Sequence, residues 1–296
     1  MSAQPGDGEL RYLIVCADDF GLDRAVNQAV EEAHRHGILS TASLMVAGPA
    51  AADAVARARR LPNLRVGLHL DLVDGAPVLP PAEIPGLIRS DGRFDQNMIR
   101  AAIRFFFFPR IRSQLAREIQ SQFEAFRATG LRLDHVNAHK HMHVHPIVAR
   151  LIIQIGRDFG MTAVRVPSEP VETLRAAVPE EHHAAPIYEP WIKRLRGRLR
   201  DAGLVVNDQL FGLAWSGGMT EQRLLRLIPH IPEGVSEIYL HPATERSPNL
   251  ATAMPGYRHE EEFAALLSPS LKSRIAEVGI GLVSYSDLAS GMAQAN

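Results

Sequence analysis

Short apolar runs recur along this chain, most of them ending in a polar residue and followed by a helical pattern, and that alternation leaves few folds open. Tyr12–Cys16 is the first run. Ser40–Val46, Leu64–Leu70, Leu131–Ala138, Ala163–Val166, Glu237–Leu240 and a short stretch at Leu282–Tyr285 read as further strands. Between the first two, Val26, Ala29, Val30 and Ala33 keep the i, i+3, i+4, i+7 spacing of a helix face, and Gly37 stands where that helix should end. Ala50–Arg60, Gln114–Ala128 and Pro146–Phe159 read as helices, the last with proline in its first turn. Val73–Phe94, rich in Pro and Gly, reads as irregular. Strand then helix, repeated, predicts an α/β fold with a mainly parallel sheet and right-handed crossovers.

Polar residues gather at the predicted strand ends: Asp18 and Asp19, His69, His139, Arg165 and His241. Parallel barrels carry their sites at the C-terminal mouth, which fits this pattern. An open doubly wound sheet also binds ligands there, but no strand here is followed by a Gly-rich phosphate loop. A chain of 296 residues suits one α/β domain, so a single domain over 1–296 is expected, with 1–9 flexible and 73–113 an insertion or lid facing substrate. The net charge of -1 argues against general nucleic-acid binding. Cys16, the single cysteine, lies inside the first strand and reads as a buried, inert thiol. The polar start MSAQPGDGEL has no signal-peptide core, and no window is apolar enough to span a bilayer. A cytoplasmic protein is expected.

Ala17-Asp18-Asp19-Phe20-Gly21 carries the sharpest chemical signal. Adjacent side chains on a strand point to opposite faces, so both carboxylates reach one pocket only if the chain leaves the sheet there. Gly21 permits the turn. Two close carboxylates repel, and a cation or shared proton is the usual remedy. His69, within Gly67-Leu68-His69-Leu70, would by itself read as a core histidine. In His135–His145 the extended stretch puts His135, Asn137 and His139 on one face. One carboxylate and two imidazoles from separate strand ends, Asp19, His69 and His139, make a three-ligand set with open positions, which is catalytic rather than structural. The expected cofactor is one divalent ion: zinc suits the set best, and magnesium or another divalent ion also accepts it. Asp18, beside the metal but not bound to it, is placed to take a proton from water. Arg165, a charge on a predicted buried strand, either holds Asp18 ionised or forms an unrelated salt bridge. His241 ends another strand and is placed to protonate a leaving group, or is an ordinary loop histidine.

The motifs Ala17–Gly21, Gly67–Leu70, His135–His145 and His241-Pro242, in this order, resemble the YdjC-type carbohydrate deacetylases, over roughly Arg11 to Leu288. The resemblance implies a modified (β/α) barrel and divalent-metal removal of acetyl from N-acetylated sugars. Carried over, Asp18 is the general base, Asp19, His69 and His139 hold the metal, and His241 is the general acid. One departure stands out: where many relatives read Asp-Ser-His, this chain has Asn137-Ala138-His139, so hydrogen bonding around the ligands is altered. Val136–His141, Arg165–Pro170, Gly212–Gly217 and Tyr239–Ala243 resemble the hopanoid-biosynthesis-associated branch, which implies an N-acetylglucosamine attached to a hopane lipid. Arg165, Asn137, Trp215 and His141 are then the candidates for binding or orienting substrate.

Met98–Arg117, MIRAAIRFFFFPRIRSQLAR, holds Arg100, Arg104, Arg110, Arg112 and Arg117, four adjacent phenylalanines and no acid. Trp191–Arg200, WIKRLRGRLR, has the same character. Both suit peripheral contact at the inner membrane surface; the opposite reading packs Phe105–Phe108 into the core. The expected activity is removal of acetyl from an acetylglucosaminyl lipid. The alternatives are a soluble chito-oligosaccharide deacetylase, with the phenylalanines as core, and a non-catalytic glycolipid carrier. The expected partner is glycolipid or oligosaccharide.

Overall fold

The structure, a computed structural model, describes residues 10–184 and 189–291. The expected flexible segment 1–9 lies outside the described residues. Among the described residues, seven strands form one parallel sheet: β1 (Arg11–Phe20), β2 (Thr41–Leu44), β3 (Arg65–Leu70), β4 (Leu133–Ala138), β5 (Gln209–Phe211), β6 (Gly234–Leu240) and β7 (Gly281–Leu282). Their order is β4-β3-β2-β1-β6-β5. β1 is central, which its unbroken apolar run anticipates, because a strand covered on both faces needs no polar alternation. Leu13 to Phe20 are all buried. β6 pairs one edge of β1, while β2 takes the second half of the other edge from Cys16 onward and β7 its start at Tyr12 and Leu13.

The sheet curls into a half-barrel. Residues 163–168 span the gap between its edges: Arg165 donates to the Val136 carbonyl of β4, Val164 to Val205, and Leu210 of β5 to the Ser168 carbonyl. The strand expected at Ala163–Val166 is thus present only as isolated parallel bridges, because Pro167 has no N–H to continue a ladder.

Crossover helices cover the outside: α1 (Arg24–His36), α2 (Ala51–Ala58), α3 (Met98–Phe107), α4 (Pro109–Ala128), α5 (Pro146–Gly156), α6 (Val171–Ala177), α7 (Glu189–Asp201) and α8 (Glu221–Leu227). Four short ones close the C-terminal part: α9 (Pro248–Ala253), α10 (His259–Leu267), α11 (Pro269–Glu277) and α12 (Tyr285–Ala289). α1 begins where Asp23 accepts from the Ala25 N–H at 2.9 Å and ends against Gly37, as its spacing predicts. The apolar stripes of these helices and the outward faces of the strands share one core. The inward faces of the barrel are different: Asp18, Ser43, His135, Asn137, Arg165 and Glu237 are all buried there and hydrogen-bonded to one another.

Candidate active site

The turn at the end of β1 creates the site. Asp19 lies in the left-handed region at φ +61° and Gly21 at φ +98°, so the chain leaves the strand as the paired carboxylates require. A Cβ on Gly21 would stand 3.0 Å from the Met45 carbonyl, which leaves little room for any other residue. Aspartate visits this region more readily than most residues, at a cost of about 1 kcal/mol.

Asp19, His69 and His139 converge. His69 Nε2 is 3.3 Å and His139 Nδ1 3.4 Å from Asp19 Oδ1. Two ligands about 2.1 Å from a common ion in tetrahedral geometry stand about 3.4 Å apart, so the spacing fits one small divalent cation. Beyond these two imidazoles, neither buried Asp19 oxygen has a hydrogen-bond donor among the described residues, the state of a carboxylate built to meet a cation. Burial alone would lower the His139 imidazole, but the Asp19 carboxylate outweighs it and pushes it up to about 9.

Asn137 links two parts of the site. Its Oδ1 lies 2.7 Å from His69 Nδ1, which makes that nitrogen the donor and leaves Nε2 free to ligate. Its amide donates to Asp18 Oδ1 at 3.2 Å and to the Ser43 hydroxyl at 2.9 Å. An aspartate at 137 would turn the contact with Asp18 into a like-charge one. The departure noted in the sequence therefore keeps a bridge between ligand and base without adding charge.

Asp18 is held by Arg165. The guanidinium donates from Nη1 to Oδ2 at 2.6 Å and from Nη2 to Oδ1 at 2.9 Å, and it is fully buried. Of the two roles the sequence left open for Arg165, the geometry has the one on Asp18. Burial would raise the Asp18 carboxyl, but Arg165 overrides it and holds the group well below the usual carboxylate range. Behind Arg165, Glu237 Oε1 accepts from Nε and Nη2 at 3.0 and 2.7 Å, and the Tyr285 hydroxyl donates to Glu237 Oε2 at 2.6 Å. Sequence reading missed Glu237 and Tyr285 as partners of the site. A carboxylate inside an otherwise apolar strand was the available signal.

His241 leaves the end of β6 with its backbone N–H donating to Glu262 at 2.6 Å, and its ring lies between Tyr239 and Tyr257, at centroid distances of 5.5 and 5.0 Å. Burial lowers its imidazole. Asp18, His69, His139, His141, Tyr239 and His241 line one cavity of about 1030 Å³ at the C-terminal ends of the strands. Asp74, Arg93, Gln96 and Lys140 form part of its rim, and Tyr257 stands at another part. His141 faces the cavity with Nε2 3.3 Å from the Tyr239 hydroxyl. Trp215 stands apart from the others: it is buried, its indole N–H donates to Glu181 at 2.6 Å, and its neighbours Leu213 and Ser216 line the cavity in its place.

Asp71 was not foreseen. It lines the same cavity, burial pushes its carboxyl up to about 6, and Gln122 of α4 clamps its backbone through both N–H and carbonyl. Cys16 is buried and its thiol is pushed up by burial, as its place in the first strand predicts. Cys16, His135 and Glu237 also lie close together, but Glu237 is engaged by Arg165 and Tyr285, and His135 by Asp134 and Ser43. That cluster is a hydrogen-bonded barrel interior. A second hollow of about 410 Å³, between Phe123, Arg127 and Phe159, contains none of these groups.

A curled parallel sheet whose mouth holds two imidazoles, one orphaned carboxylate and a second carboxylate kept ionised has the layout of a mononuclear metal hydrolase site. The pattern of the YdjC-like protein family matches residues 12–277, and the chain belongs to that family. A carbohydrate deacetylase of Geobacillus stearothermophilus is 30% identical over 279 residues, 93% of this chain and 97% of that one. A chitooligosaccharide deacetylase of Enterobacter sp. (strain 638) is 31% identical over 286 residues, 94% of this chain and 99% of its own length. Among solved structures, an Enterococcus faecalis V583 protein named for cellobiose-phosphate cleavage superposes with a TM-score of 0.73 at 23% identity, covering 94% of this chain and 99% of that one. This last likeness is one of fold.

Proposed function

We propose that this protein is a metal-dependent carbohydrate N-deacetylase whose substrate is N-acetylglucosamine carried on a lipid, an acetylglucosaminyl hopanoid, releasing acetate and the free amino sugar. The observation that carries the chemistry is the approach of His69 and His139 to within 3.3 and 3.4 Å of the otherwise unpartnered Asp19, with Asp18 beside them. Asp19, His69 and His139 would hold a divalent ion, zinc by preference, which would supply Lewis acidity toward an acetamide carbonyl and a water. Asp18, ionised by Arg165, takes the proton of the attacking water. Asn137 orients His69 and, through its amide, Asp18. His241, whose ring burial keeps neutral at rest, takes up a proton from solvent as the amine forms and passes it to the departing nitrogen, while the proton taken from water leaves Asp18 afterwards. His141 and Tyr239 present polar groups to the sugar. Residues 73–113 form a lid-side rim to the cavity through Asp74, Arg93 and Gln96.

Two observations bear on the substrate. Phe105 is buried, but Phe106, Phe107 and Phe108 are exposed, so the core reading of the four phenylalanines holds for one of them only. That supports a lipid-bearing substrate and peripheral work at the cytoplasmic face of a membrane, through 98–117 and 191–200. Among the described residues no helix is long and apolar enough to cross one. The second reading, a chito-oligosaccharide deacetylase, is favoured by the name of the Enterobacter relative. A non-catalytic carrier leaves the ionised Asp18 and the Asp-His-His set without purpose.

The test is acetate release from acetylglucosaminyl hopanoid in detergent and, separately, from diacetylchitobiose, each with and without chelator. Chelator-sensitive release from the lipid alone is expected. Release from the soluble sugar alone keeps the chemistry and overturns the substrate; release from neither overturns both.

A further inference from the structure

Beside the cavity mouth, α3 and the start of α4 carry an apolar ridge that nothing among the described residues covers. Ile99, Ile103 and Phe107 are 74%, 52% and 66% exposed and, with Phe106, follow the i, i+4, i+7, i+8 spacing of one helix face. Phe108 extends the ridge to the α3–α4 junction. Apolar side chains so close together on an exposed helix are more than the scattered surface residues a folded protein tolerates.

The ridge is held rigidly against the site. Its inner face, Ala101 and Phe105, is buried, and the Phe105 ring meets His145 edge-on at 6.0 Å, just beyond the loop that bears His139 and His141. Gln96, two residues before α3, lines the cavity. Further along α4, Glu118 accepts from the Val78 and Leu79 N–H groups and Gln122 clamps Asp71, so the helix that begins at the ridge also fixes the cavity wall. A substrate anchored at the ridge is thereby anchored beside Asp18 and the His139 loop.

Charge selects the occupant. No acid occurs from Met98 to Arg117, and Arg110 and Arg112 form no ion pair among the described residues. Arg100 is different, being held two-pronged by Asp95. A second copy of the chain docked ridge to ridge would offer Arg110 and Arg112 no acid from its own Met98–Arg117 segment, whereas lipid phosphates neutralise them. At ten residues α3 is about 15 Å long, which lies along a bilayer surface and does not cross it. On α7, which packs on α5 as α3 does, Trp191 is 53% exposed and Arg194 is also unpaired among the described residues.

We propose that this ridge is a bilayer-docking face: Ile99, Ile103, Phe106 and Phe107 enter the boundary between headgroups and acyl chains, while Arg110 and Arg112 meet lipid phosphates. The inference deepens the lipid-bound substrate reading and rests on it for its purpose; its test is a binding measurement that does not need turnover.

The experiment is co-flotation of the full chain with phosphatidylcholine vesicles, with and without phosphatidylglycerol, for the wild type, I99S/I103S/F107S and R110Q/R112Q. The wild type should float with both and more strongly with phosphatidylglycerol. The apolar variant should lose at least about tenfold in partitioning to both. The arginine variant should lose the phosphatidylglycerol preference alone. All three should give the same circular-dichroism spectrum and melting temperature, which shows that the fold is intact. Wild type that stays with the unbound fraction, or an apolar variant that floats equally, overturns the docking face. A dimer in sedimentation velocity that the apolar variant dissolves also overturns it, in favour of a second copy. Flotation as expected, with acetate released from diacetylchitobiose but not from the lipid, upholds the docking face while the substrate reading fails.

Discussion

Replacing Arg165 by methionine removes the cation that lies between Asp18 and Glu237 and leaves two carboxylates buried with no positive partner. Four guanidinium hydrogen bonds of 2.6 to 3.0 Å are lost, all within the fully buried barrel interior. Breaking a buried pair of this kind from one side costs about 3–5 kcal/mol, because the remaining charge is uncompensated. For a chain of this size that corresponds to a fall in Tm of about 5–8 °C. The pH dependence has a definite sign. In the wild type the Asp18 carboxyl is held low, so its contribution to stability is complete above the unfolded value near about pH 4 and is lost only as pH falls through the lower folded value. Without Arg165, burial is opposed only by the Asn137 amide and the nearby His69 and His241 and raises Asp18, so the variant loses stability as pH rises from about 4. The gap between wild type and variant should therefore widen from about pH 5 to about pH 8. Urea unfolding of both proteins in chelator at the two pH values measures it. Adding Glu237→Gln to the methionine variant should recover part of the loss. A gap under about 1 kcal/mol, or one that is flat with pH, would refute the claim that Arg165 compensates these carboxylates.

Asp18→Asn should lower acetate release by about 10²–10⁴-fold while metal content is unchanged; full activity removes Asp18 from the base role. Asp19→Ala or His139→Ala should abolish stoichiometric metal binding, and an unaltered metal content contradicts the ligand set. His139 is pushed up to about 9 in the metal-free site, so its contribution to metal-free stability is complete below about pH 6.5 and is lost as pH rises through about 9. Metal binding near neutral pH must accordingly displace close to one proton, read by calorimetry in two buffers of different ionisation heat, and binding without proton release counts against that picture. Asn137→Leu should weaken metal about 10–100-fold through the freed His69 ring; an unchanged affinity shows that the Nδ1 contact does not position it.

The parallel architecture was legible because β1, β3 and the end of β6 are short apolar stretches alternating with helical patterns, and the strand ends supplied Asp18, Asp19, His69, His139 and His241. Residues 163–166 were harder, since Pro167 stops a strand that the apolar pattern alone would continue. Asp71 sits two residues past His69, where alternation along a strand says nothing about a side chain beyond its end. Trp215 shared its segment with cavity-lining neighbours, and only the packing shows its indole turned to Glu181. Glu237 and Tyr285 meet Arg165 from distant parts of the chain, a pairing with no local signature. The phenylalanine run could be read either way because exposure belongs to the folded surface: Phe105 and Phe106 both meet His145 edge-on, yet Phe105 is buried while Phe106, Phe107 and Phe108 are exposed.

The most direct test of the central claim is a metal titration of the chelator-stripped protein, followed by acetate release from N-acetylglucosaminyl substrate at each point. Activity should rise linearly with zinc and break at one equivalent per chain, in step with loss of the His139 proton. Acetate release at full rate from the stripped protein, or a break at another stoichiometry, would contradict a single catalytic ion held by Asp19, His69 and His139.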